Sequence, residues 1–180
     1  PRLCDAVLEL HRSFEQPIIH RDLKPSNVMV TRDNVIIIDF GIARMYQESA
    51  SDDTHHFGTR SYAPPEQFGF GQTDERSDVY ALGALLYYCL TEKTIENAVK
   101  QNGYVSSEIP ENLREILRKS TAFDPVMRYA NVEELKRVFL VATGGPTAHE
   151  GIPSYIGKGD VFYEQEQSRP KNLLSRIPFP

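Results

Sequence analysis

Two polar residues flank a pair of short β-branched runs in this 180-residue sequence. Val28-Met29-Val30 and Val35-Ile36-Ile37-Ile38 are separated by Thr31-Arg32-Asp33-Asn34, a spacer that predicts a β-hairpin. Asn27 precedes the first run and Asp39 follows the second, so the hairpin brings an amide and a carboxylate to one end. Directly opposed residues of such a pair lie roughly 4.5–5.5 Å apart, within reach of a shared hard cation. Mg2+ suits those donors, because it takes a few protein oxygens and completes its shell with water and phosphate. Taken alone, the pair reads more readily as two turn caps, a common use of Asn and Asp.

The neighbouring residues shift that balance. His20-Arg21-Asp22-Leu23-Lys24-Pro25-Ser26-Asn27 stands directly before the hairpin, and the second strand runs into Asp39-Phe40-Gly41. Further on come Gly58-Thr59-Arg60-Ser61-Tyr62-Ala63-Pro64-Pro65-Glu66, then Ser77-Asp78-Val79-Tyr80-Ala81-Leu82-Gly83, then Asp124-Pro125-Val126-Met127-Arg128. On these segments, in this order over roughly the first 140 residues, the sequence resembles the protein kinase family in its bacterial-type serine/threonine branch.

The resemblance implies ATP-dependent phosphoryl transfer to a Ser or Thr hydroxyl of a protein substrate, with Mg2+ as the metal. It implies that Asp22 orients the acceptor hydroxyl and takes its proton, while Lys24 balances charge on the transferred group. Asn27 and Asp39 would hold the metal and, with Lys24, the nucleotide phosphates. Thr59 would hydrogen-bond Asp22 and Lys24 beneath the acceptor. His20 and Phe40 are expected to pack together as scaffold. Asp78 would accept hydrogen bonds from the catalytic-loop backbone, and Glu66 with Arg128 would form a buried ion pair. Arg21, just before Asp22, goes in this family with control by loop phosphorylation. Among Ser49, Ser51 and Thr54, the favoured site is Thr54, where an added charge of about −1.5 to −2 could dock on Arg21. His55-His56 reads as a solvated loop feature.

Two departures stand out. Pro64-Pro65-Glu66 replaces the family's usual Ala-Pro-Glu, keeping the acid. Nothing in the 180 residues resembles the glycine-rich phosphate loop, the lysine strand or its helix glutamate. The expectation is therefore a C-terminal lobe without its N-terminal lobe, inactive alone and needing that lobe in cis or in trans. The rival expectation is a non-catalytic kinase-like binding or scaffold module.

The elements around these residues read as mainly α with one small β-hairpin. Leu3, Val7, Leu10 and Phe14 recur at helical spacing, and Pro17 marks the end of that helix. Ile18 to Asn27 reads as loop, and Gly41 to Glu66 shows little periodicity. Helices are predicted over Asp74–Leu90, over Glu111–Ser120 with Pro110 at its first position, and after Asn131, where Glu134 completes a capping-box pattern. Residues 1–142 form the expected lobe and 143–180 a weakly structured tail, opened by Gly144-Gly145-Pro146. The net charge of −5 is mild and scattered, which argues against a nucleic-acid partner, and Val79–Leu90 is too short to span a membrane. Cys4 and Cys89 lack metal-ligand spacing and fit a reducing cytoplasm.

Overall fold

The structure, a computed structural model, describes residues 1–32, 34–40, 43–45 and 61–145. Five helices are present among them: α1 (Arg2–Arg12), α2 (Glu75–Thr91), α3 (Asn97–Gln101), α4 (Glu111–Ser120) and α5 (Val132–Thr143). Four short strands form two separate antiparallel ribbons. Strand β1 (Ile18–Ile19) pairs with β4 (Arg44–Met45), and β2 (Val28–Val30) pairs with β3 (Val35–Ile37).

Helix α2 is the central element. Buried residues run along most of its length, from Ser77 through Leu85, so it is not a one-faced surface helix. Asp74 caps its start: the carboxylate accepts from Arg76 N at 2.8 Å, and Asp74 N donates to Ser77 Oγ at 3.3 Å. At Gly83 the end of α4 packs close, because a Cβ there would lie 2.5 Å from the Ser120 Cβ. Helix α5 starts at Asn131, whose side chain accepts from Glu134 N at 2.9 Å. Glu134 reaches back to Ala130 N at 2.7 Å, so the reciprocal bond falls one residue before the cap.

One core joins these elements to the loops that carry chemistry. Val7 of α1, Val79, Leu82 and Leu85 of α2, Leu113 and Ile116 of α4, and Val132 and Leu135 of α5 are buried in one cluster. Leu23 and Ile37 belong to it too, one from the segment before the hairpin and one from β3. Burying a leucine contributes roughly 1.5–3 kcal/mol, so Leu23 anchors Asp22 and Lys24 on either side of it.

Several expectations need correction. Helix α1 stops at Arg12, and Phe14 lies beyond it, exposed. The segment 18–27 is not all loop, since it contains β1 and a 3-10 turn at Pro25–Asn27. Strand β4 and a 3-10 turn at Pro65–Phe68 fall in or at the edge of the aperiodic stretch. Pro110 is the cap of α4 rather than its first residue. No helix of the described residues is long and apolar enough to cross a membrane.

Candidate functional site

The segment 20–27 is held from below by one carboxylate. Asp78, in the first turn of α2, is fully buried and accepts from His20 N at 2.9 Å and Arg21 N at 3.0 Å. His11, at the end of α1, adds a third bond, with Nε2 at 2.8 Å from Asp78 Oδ2. A buried carboxylate without such donors would be strongly disfavoured. Burial pushes its pKa up, but the His11 hydrogen bond, both neighbouring histidines and the His20 N–H outweigh that, and it lies below the ordinary value. His20 is shifted down, first by burial, with the Asp78 and Asp22 carboxylates opposing. Its ring meets Phe40 edge-on at 5.2 Å, and its Nδ1 accepts from Asp22 N at 3.3 Å.

Above that platform three polar side chains converge. Lys24 Nζ donates to Asp22 Oδ2 at 2.6 Å, and Asn27 Nδ2 donates to the same oxygen at 3.1 Å. Asn27 Nδ2 also donates to Asp22 O at 2.9 Å. These bonds point the amide nitrogen toward Asp22 and turn Oδ1, which accepts from Ser26 Oγ at 3.4 Å, away from it. Asp22 and Lys24 remain partly open to solvent, with side chains 14% and 24% exposed.

The hairpin register differs from the expected one. Strand β3 ends at Ile37, and Ile38 N donates to Asn27 O at 2.9 Å, so Ile38 rather than Asp39 opposes Asn27. An extended chain would turn Asp39 to the other face. Its φ of 63° breaks the pleat at that residue, so strand alternation no longer dictates its direction. Asn27 Oδ1 and the exposed Asp39 carboxylate are hard oxygen donors and fit Mg2+. Among the described residues no group of three or more His, Cys, Asp or Glu could hold a metal.

Beneath the site, Arg128 grips Glu66 through two bonds, Nη1 to Oε1 at 2.6 Å and Nη2 to Oε2 at 2.8 Å. Ser77 Oγ donates to Glu66 Oε1 at 2.8 Å, tying the pair to α2. Arg21 is buried and has φ 70°. Thr54, Thr59 and His55-His56 lie outside the described residues. Two contributors carried no expectation: His11, bonded to Asp78, and Gln67, which donates from Nε2 to Arg21 O at 2.8 Å. No short-range sequence pattern marks either one, because their partners lie 67 and 46 residues away.

The protein kinase domain family model matches residues 2–142, and the chain belongs to that family. Its curated relatives include serine/threonine-protein kinases of bacteria. The probable serine/threonine-protein kinase PknB of Lactococcus lactis is 30% identical over 96% of this chain and 30% of its own length. PknB of Mycobacterium tuberculosis is 43% identical over 49% of the chain and 15% of its own length. A probable serine/threonine-protein kinase of Clostridium perfringens is 34% identical over 70% and 21%. The chain thus spans less than a third of the length of each.

Proposed function

We propose that residues 1–142 are the C-terminal lobe of a cytoplasmic kinase that phosphorylates protein Ser or Thr hydroxyls, with 143–180 a tail. The observation that carries this reading is the convergence of Lys24 Nζ and Asn27 Nδ2 on one oxygen of Asp22. Two donors on Oδ2 hold that carboxylate in one orientation, from which it can meet an acceptor hydroxyl. Asp22 would then take the hydroxyl proton as the oxygen attacks the terminal phosphorus of ATP and the bond to the leaving ADP oxygen breaks. Lys24, partly exposed, can turn its ammonium toward the phosphoryl oxygens, where negative charge needs a counter-ion. Asn27 and Asp39 would hold Mg2+, which when bound neutralises nucleotide phosphate charge. Thr59 is assigned to the acceptor side and Thr54 to phosphate docking on Arg21, on family resemblance.

The test is Asp22→Asn in the whole protein that carries this domain. Turnover should drop by about 10² or more while ATP affinity is kept, the scale of a positioned general base. Near-normal turnover by the variant would sink the assignment. As a separate polypeptide, residues 1–180 should show no turnover. Mg-ATP should bind no tighter than about millimolar, near −4 kcal/mol. Without a glycine-rich loop and its lysine, phosphate would be met from one side and in water, where exposed charge pairs contribute roughly 0–1 kcal/mol. Supplying an N-terminal lobe, in cis or as a second chain, should restore activity. Micromolar binding in calorimetry, or labelled-phosphate transfer by the separate polypeptide, contradicts this view of it.

A further inference from the structure

Gln67 lies one residue past Glu66 in the 3-10 turn Pro65–Phe68 and is fully buried. Its amide donates to the carbonyl oxygen of Arg21 at 2.8 Å. Arg21 holds φ 70°, a left-handed backbone that a residue with a side chain adopts only where its surroundings impose it. Those surroundings grip both of its backbone polar atoms. Asp78 on α2 takes the Arg21 N–H at 3.0 Å, and Gln67 supplies a donor to the C=O. That carbonyl is half of the peptide unit joining Arg21 to Asp22. Its other half, Asp22 N–H, donates to His20 Nδ1 at 3.3 Å. A peptide unit is planar, so holding its oxygen fixes its N–H direction and with it the backbone from which the Asp22 side chain departs.

We infer that Gln67 is a positioning residue, which locks the Arg21–Asp22 peptide plane and so aims the Asp22 carboxylate. The inference rests on reading Asp22 as the catalytic carboxylate. The amide is delivered from a rigid base. Gln67 N donates to Pro64 O at 3.1 Å, and the adjacent Glu66 is pinned by Arg128 and Ser77. Without the amide donor, the buried Arg21 carbonyl would lose that hydrogen bond, and the plane would be free to rotate toward a less strained backbone.

The test is Gln67→Met in the whole protein, which keeps side-chain length and deletes the donor, beside Gln67→Glu, which offers an acceptor to the carbonyl. Both should lower kcat on the order of tenfold to a hundredfold, the cost of a misplaced reacting group, with KM for ATP and peptide unchanged. Hydrogen exchange should quicken at the amides of Arg21, Asp22 and Leu23 while α2 and α4 keep their protection. Parental kcat overturns the inference. So does a loss carried by KM, or a fall in protection across the whole domain, which marks Gln67 as core filling only. Asp22→Asn, measured alongside, separates the two failures. Full turnover there defeats the reading of Asp22, whereas a slow Asp22→Asn with a parental Gln67→Met defeats the role of Gln67 alone.

Discussion

Two ion pairs in this domain share a closest N···O separation of 2.6 Å and differ in almost everything else. Arg128 and Glu66 have side chains 0% and 2% exposed. All five guanidinium N–H groups are used. Nε donates to Ala122 O, Nη1 to Glu66 and Arg76 O, and Nη2 to Glu66 and Phe123 O. The guanidinium also lies 5.0 Å from the Tyr80 ring centre. Lys24 and Asp22 sit at the edge of solvent, and a lysine is a flexible point charge rather than a planar fork. A separation therefore says little about purpose. The enclosed pair is fixed on every side by further buried hydrogen bonds and locks the fold. The open pair can exchange one partner for another, as the role proposed for it in phosphoryl transfer requires.

The comparison is tested most severely by Arg128→Ala. Removing it strands a buried carboxylate, at roughly 3–5 kcal/mol. That is a large share of the 5–15 kcal/mol typical of a whole domain. Thermal melts should show a domain mostly unfolded or melting far below the parent, and an unchanged midpoint would break the contrast. Asp22→Asn should do the reverse, with turnover lost and the melting midpoint nearly kept.

A smaller effect concerns pH. His20 has its pKa lowered in the fold from an ordinary 6.5, so as pH falls through that value the unfolded chain takes up the proton first. Stability should decline from about pH 6.5 down to the folded pKa and then level off for this group. Asp78 has its pKa lowered from 3.8, so its contribution is full above that value and disappears as pH falls through the folded pKa. Denaturant titrations of His20→Phe, which keeps a ring against Phe40, should lose the first of these slopes and keep the second. Identical slopes in parent and variant would remove His20 from the account.

The smallest effect is expected at Arg12 and Glu133. Their Nη2···Oε2 distance is also 2.6 Å, but the side chains are 61% and 64% exposed. Arg12→Ala should shift stability by only about 0–1 kcal/mol, less in high salt. A loss comparable with that of Arg128→Ala would mean that distance, not burial, sets the scale.

What the sequence makes legible follows from how local each signal is. Leu113, Ile116 and Leu117 announce α4 because three apolar residues within five positions define one helix face, and all three are buried. The β2–β3 hairpin is legible from its β-branched runs and polar turn. The β1–β4 ribbon is not, because each strand has two residues and Ile18 meets Met45 from 27 positions away. The stretch between α2 and α4 carries no helix expectation, and α3, five residues long with no buried side chain, left little periodicity to find there. At the site, residue types point to Asp22, Lys24, Asn27 and Asp39. The one-residue offset that sets Ile38 against Asn27 depends on where β3 stops pairing, and composition does not reveal that. Gln67 and His11 were invisible for the same reason as β1, since each acts on a partner the chain brings from far away.

The Glu66–Arg128 bond has one further consequence, for the order in which the molecule is made. Its partners are 62 residues apart. A ribosome adding about 5–20 residues per second releases Glu66 some 3–12 s before Arg128. Throughout that interval the carboxylate has no guanidinium to meet, and desolvating it alone is unfavourable, so the turn bearing Gln67 must stay hydrated. His20 to Asn27 emerge before either partner, yet the pair beneath them is complete only when Arg128 has been synthesised. The segment carrying most of the chemistry is therefore made before the pair that supports it.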